Sequence, residues 1–138
     1  MASRLNNLLS IRPQILSAKV YETTSAEESF QNKTLRPIIK LQHDLLIAVF
    51  KNYIRKHKNV FLDLNLDKQL NYISNAIKKD IKFRNSLKGM VIGQFTVDEY
   101  EEYIKNSSAL NKRMTNIIKE RLIQSVQLFN SEEVLQNL

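Results

Sequence analysis

Cysteine and tryptophan are absent from the 138 residues, and glycine, proline and histidine occur only twice each. Without cysteine there is no disulfide, no thiolate metal site and no Cys nucleophile. Two glycines cannot build the G-x-G-x-x-G, G-x-x-x-x-G-K-[ST] or G-x-S-x-G loops, which excludes the common phosphate cradles and the nucleophile elbow. His43 and His57 lie on one expected helix, about 21 Å apart along its axis, too far to share a metal. No Glu-x-x-His pair occurs, so the di-iron pattern of helical bundles is lacking as well. No metal and no cofactor is expected. No window approaches 18 consecutive apolar residues, and the opening ten residues hold no apolar stretch of signal-peptide length. The expectation is a cytoplasmic protein with no membrane span.

What remains is an ordinary globular composition, 43% hydrophobic and 25% charged, on a chain long enough for one domain. Three long segments carry helical periodicity and none carries strand alternation. The first runs from about Leu35 to Lys56, with Thr34 as its expected N-cap and Pro37 in its first turn. The second runs from Leu66 toward Ile92, ended by Gly93, with Gly89 four residues earlier as a candidate close crossing. The third opens on the capping box Thr96-Val97-Asp98-Glu99 and stays in phase to Phe129, with a bend expected at Asn106-Ser107-Ser108. Residues 1–33 read as an N-terminal helical arm, 34–129 as the bundle core and 130–138 as a C-terminal tail. The fold class is all-α: a helical bundle of three long helices plus shorter N-terminal helical segments.

Lys plus Arg number 21 against 14 Asp plus Glu, a net charge of +7. The positive excess concentrates on residues 35–93, whereas 94–105 is net negative, as the macrodipole of a helix opening there favours. Arg36, Lys40, Lys51, Arg55 and Lys58 share the polar face of the first helix, and Lys68, Lys78, Lys79 and Lys82 that of the second. Such faces either solubilise a bundle or form a footprint for a polyanion such as nucleic acid. The sequence shows no aromatics interleaved with these lysines for stacking bases.

Four polar residues fall where apolar ones are expected: Asp80 in the stripe of the second helix, Arg84 one turn on, Arg121 among Ile117, Ile118 and Leu122, and Gln42 on the first helix. Charges at such positions are seldom buried unpaired. They read either as an ion-pair network fixing helix register, with Asp80 accepting from Arg84 or Arg121, or as a pocket in which the arginines hold a carboxylate or phosphate.

The stretches Phe30-Gln-Asn-Lys-Thr-Leu-Arg-Pro37, Lys79-Asp-Ile-Lys-Phe-Arg-Asn-Ser-Leu-Lys-Gly89, Ile92-Gly-Gln-Phe-Thr-Val97 and Asn106-Ser-Ser-Ala-Leu-Asn-Lys-Arg113 resemble a group of short helical bacterial proteins that carry the label glyoxalase. The resemblance covers most of Phe30 to Leu122 and brings no catalytic residue to carry over. Glyoxalase I-type enzymes use paired βαβββ modules with His and Glu ligands on strands, and neither feature is visible in this sequence.

The expected role is therefore a non-catalytic interaction or regulatory module with a protein partner. One alternative is polyanion or nucleic-acid binding through the basic faces. Another is a glyoxalase-like or other enzyme, or a small-anion-binding protein, using Asp80, Arg84 and Arg121. The unbroken apolar run Leu45 to Phe50 needs cover, and the balance favours a monomer closed by Leu5, Leu8, Leu9, Ile15 and Leu16 over a homodimer.

Overall fold

A computed structural model describes residues 3–15 and 25–130, and every regular element among them is a helix. The fold is all-α, and the paired βαβββ modules of glyoxalase I-type enzymes have no counterpart among the described residues. Leu16, most of the connector expected at Tyr21 to Ser25, and residues 131–138 lie outside the described residues.

Side-chain oxygens set five of the helix starts, each accepting an otherwise unpaired N–H of the first turn. Ser3 opens α1 (Arg4–Ile11) and Ser25 opens α2 (Ala26–Phe30). Asn65 opens α5 (Leu66–Lys79), Asp80 opens α6 (Ile81–Ile92) and Thr96 opens α7 (Val97–Tyr103). At Thr96 the capping box is complete, because the Glu99 carboxylate accepts the Thr96 N–H in return.

Each of the three expected long helices is divided. The first is a π-helical turn over Gln31–Leu35, then α3 (Arg36–Leu41) and α4 (His43–Lys56). Thr34 is not an N-cap but lies inside the widened turn, where the Arg36 N–H reaches back five residues to the Gln31 carbonyl. Pro37 supplies the cause, since in a regular helix its ring meets the carbonyl four residues back and it has no N–H to donate. The break at Gln42 coincides with its amide donating to the Met90 carbonyl at 3.0 Å, one of the free C-terminal carbonyls of α6. The second helix stops at Asp80, whose extended backbone turns the chain from α5 into α6. The third bends where expected: a 3₁₀ turn at Ile104–Asn106 separates α7 from α8 (Ser107–Gln124), and residues 126–130 add a final helical turn. Gly93 ends α6 in right-handed geometry. Gly89 marks no close crossing, because a Cβ there would meet open space.

These breaks re-phase the apolar stripes. Leu35, Ile38, Ile39, Leu46, Ile47, Phe50 and Ile54 are buried, whereas Leu45 turns outward. Ile73, Ile77, Leu87 and Val91 are buried, whereas Leu66 and Ile81, at the starts of α5 and α6, are exposed. Helix α8, about 27 Å long, packs on α3, α4, α5 and α6 through Leu110, Met114, Ile117, Ile118 and Leu122. Phe50 is fully enclosed, its ring centre 4.9 Å from that of Phe129 and 5.9 Å from that of Phe61.

Of the residues expected to cover the Leu45–Phe50 run, Leu16 lies outside the described residues. Helix α1 has no buried residue and leaves Leu5, Leu9 and Ile11 exposed. The segment is tied to the C-terminal end of α6 and to the start of α7. Arg4 donates to the Gly93 carbonyl, and Arg12 donates to the Gln94 carbonyl and to both Glu99 oxygens. Lys40 reaches the Gln14 carbonyl from α3.

Candidate functional site

The π-helical turn presents Gln31 and Asn32 on the side toward α8 and sets Arg36 at the head of α3. From the opposite wall α8 contributes Ile117 and, one turn later, Arg121. With Glu28 and Ile15 at its edges, this set bounds a polar cleft of about 460 Å³. The Arg36 Nε donates to Asn32 Oδ1 at 3.3 Å, and an Arg121 terminal nitrogen donates to His43 Nδ1 at 3.4 Å. A guanidinium only donates, so His43 Nδ1 is the acceptor there and carries no proton. Arg113, two turns before Arg121 on α8, donates to Gln31 Oε1 at 2.9 Å and orients that amide.

The electrostatics of the cleft are unbalanced. Burial first, and the charge of Arg36 second, lower the Arg121 guanidinium below its ordinary value. Neither arginine has a carboxylate oxygen within ion-pair distance among the described residues, Glu28 included. Two half-buried guanidiniums that share a cleft with no carboxylate at ion-pair distance are destabilised by desolvation and mutual repulsion. A bound phosphate or carboxylate relieves both, and guanidinium geometry suits bidentate contact with either.

No protein-family model, no curated protein and no solved structure matches this chain.

The four polar residues that the sequence placed in apolar stripes are not joined in one cluster. Asp80 is half-exposed and serves as a helix cap: Oδ1 accepts the Phe83 N–H and Oδ2 accepts the Tyr53 hydroxyl at 3.0 Å. Those two hydrogen bonds hold its carboxyl below the usual value, with smaller help from His57 and Lys82. Arg84 donates to the Lys78 carbonyl at the end of α5. Gln42 caps α6, and Arg121 faces Arg36 across the cleft. The expected pairing of Asp80 with Arg84 or Arg121 is therefore replaced by three separate partnerships. The reason is local, because Asp80 breaks the helix on which the apolar phase was counted.

The nine basic residues also divide. Arg36 lines the cleft. Lys51 and Arg55 border a recess on α4 with His43. Lys68 stands near the start of α5, about 16 Å along that helix from Lys79. Lys58 sits in the left-handed turn after α4, and Lys78, Lys79 and Lys82 are exposed around the α5–α6 corner. At that corner Lys79 and Lys82 flank Tyr53, His57 and Tyr72. Aromatics separated from the lysines in sequence are thus brought beside them by the turn at Asp80. No group of three or more His, Asp or Glu with metal-binding geometry occurs among the described residues.

Three further residues meet at one carboxylate: Glu99, expected only as a helix cap, Thr34, expected only as an N-cap, and Arg12, which carries no sequence signal. The Glu99 carboxylate is held by Arg12 on both oxygens, by the Thr34 hydroxyl at 3.0 Å and by the Thr96 N–H at 2.8 Å. The one signal for it was the capping box, which accounts for a single one of these contacts.

Proposed function

We propose that the protein is a non-catalytic binding module whose ligand carries a small anionic group, a phosphate or a carboxylate, held between Arg36 and Arg121. The observation that carries this reading is the pair of half-buried guanidiniums in one polar cleft with no carboxylate paired to either. Gln31 borders the same space and offers an amide donor to an anion's remaining oxygens. Of the earlier alternatives, this one keeps Arg121 and exchanges Asp80 and Arg84 for Arg36. A binding role is favoured over catalysis because the walls offer cations and amides but no nucleophile beside a base.

Thermal unfolding in increasing inorganic phosphate, with chloride at matched ionic strength as reference, tests the proposal. A ligand specific to the folded state raises stability by about 2.7 kcal/mol at a hundred times its dissociation constant. The expected result is a saturable rise in Tm for the wild type that is lost in both Arg36→Ala and Arg121→Ala. A non-saturating rise that both variants share, or no rise with phosphate, succinate or acetate, overturns it.

A further inference from the structure

The α5–α6 corner, remote in sequence from Arg36 and Arg121, holds a recess of about 580 Å³ with a different chemistry. We propose that it binds a nucleoside phosphate, the base lying against the rings of His57 and Tyr72 and the phosphate meeting Lys79 and Lys82.

The recess is built on a cluster of three rings. Tyr53 has His57 stacked on it and Phe83 tilted against it, each with its ring centre 4.1 Å away. The imidazole is pinned, because His57 Nδ1 lies 2.8 Å from the Tyr53 carbonyl. A carbonyl only accepts, so Nδ1 donates to it and the ring orientation is fixed. One face of the His57 ring covers Tyr53, and the residue is otherwise exposed, which leaves an oriented aromatic surface at the edge of the recess. Tyr72 supplies a second ring at 6.2 Å from Tyr53 and nearly perpendicular to it. Aromatic faces in this setting accept an unstacked base of any kind, and the Asn75 amide on the same wall offers both a donor and an acceptor to a base edge.

Charge completes the match. Lys79 ends α5 and Lys82 lies in the first turn of α6, so the chain reversal at Asp80 brings both ammonium groups to the rim. The Asp80 carboxylate between them offsets part of this charge, and with two ammonium groups to one carboxylate the rim stays net positive. Lys78, in the same last turn of α5, is exposed as well. A bare inorganic anion has no use for the rings, and a duplex keeps its bases stacked and out of reach. A nucleoside phosphate uses both the rings and the lysines, either free or as one unit of a single strand.

The test measures binding of a mononucleotide (AMP and UMP) by calorimetry and of a fluorescent 12-nucleotide poly-U strand by anisotropy, at two salt concentrations. Saturable binding of mononucleotides assigns the free ligand, and binding of the strand alone assigns single-stranded nucleic acid. Either outcome supports the proposal only if His57→Ala and Tyr72→Ala each weaken binding about tenfold. Lys79→Ala should flatten the dependence of log K on log salt for the strand by about 0.7, the contribution of one phosphate contact. Lys68→Ala removes the same charge about 16 Å away along α5 and should change neither affinity nor slope. His57 is exposed, so its variant remains informative even if Tyr72→Ala, checked by circular dichroism, fails to fold. Binding that His57→Ala leaves intact, equal binding of duplex and single strand, or no binding of either probe overturns the proposal.

Discussion

Arg12 holds Glu99 with both terminal nitrogens, each 2.6 Å from a carboxylate oxygen, in a pair that joins the N-terminal arm to the start of α7. Only 8% of the Arg12 side chain and 17% of the Glu99 side chain remain exposed. Thr34, from the π-helical turn, reaches the same carboxylate, so a single residue ties three separate segments together. A double-mutant cycle with Arg12→Ala and Glu99→Gln should give a coupling energy of about 1.5–3 kcal/mol, the range for hydrogen bonds to charged groups. Strictly additive losses would show that the arm is held by other contacts.

The same carboxylate makes stability depend on acid. Burial raises the Glu99 carboxyl, but the hydrogen bonds from Arg12, Thr96 and Thr34 and the charge of Arg12 outweigh it, and the net shift is below the ordinary value of 4.5. A depressed carboxyl contributes stability that is fully present above its unfolded value and disappears as pH falls through the folded one. Urea midpoints of the wild type and Glu99→Gln should therefore differ by a constant amount above about pH 5. Below about pH 4.5 they should converge. A difference that stays constant down to pH 2.5 would remove Glu99 as the source.

At the α5–α6 corner, removing the cap is expected to matter more than removing the neighbouring cation. Asp80→Ala loses the bonds to the Phe83 N–H and the Tyr53 hydroxyl and should cost about 1–2 kcal/mol. Asp80→Asn retains a capping oxygen and should recover most of that. Burial, and after it the hydrogen bond and charge of Asp80, push the Tyr53 hydroxyl up to about 12, so it stays protonated and donating at any ordinary pH. Arg84→Ala breaks only an exposed bond to the Lys78 carbonyl and should fall within about 0.5 kcal/mol of wild type. Equal losses at Asp80 and Arg84 would instead restore the ion-pair reading.

Helix class, the Thr96 capping box and the bend near Asn106 were legible because each depends on residues within one turn of each other. The breaks at Gln42 and Asp80 were not. Neither residue is a strong helix breaker alone, and each is fixed by a partner far along the chain: the Met90 carbonyl for Gln42, the Tyr53 hydroxyl for Asp80. Once those breaks were missed, the apolar phase ran on past them. Counted straight through Asp80, that phase sets its carboxylate among apolar residues, as a buried charge in search of an arginine. The cleft was legible by half. Arg121 stood out against three apolar neighbours, whereas Arg36 read as one more surface cation, because the π-helical turn that aims it leaves no periodicity of its own.

The turn after α4 offers the most local prediction. Lys58 and Asn59 both adopt left-handed backbone, with φ of 63° and 58°. Asn tolerates that region, but an ordinary side chain there costs about 1–2 kcal/mol because its Cβ crowds the following carbonyl. The left-handed conformation is required, since it lets the Lys58 and Asn59 N–H groups close back on the Arg55 and Ile54 carbonyls and end the helix. Lys58→Gly should relieve the crowding, partly offset by the greater freedom glycine has when unfolded, for a net gain of about 0.5–1 kcal/mol. Lys58→Ala removes the same charge while keeping the Cβ, so it should show no such gain. Urea unfolding of the two variants isolates the backbone effect from the electrostatic one. Glycine should raise the midpoint above alanine with an unchanged slope, and equal midpoints would mean that the turn carries no strain at Lys58.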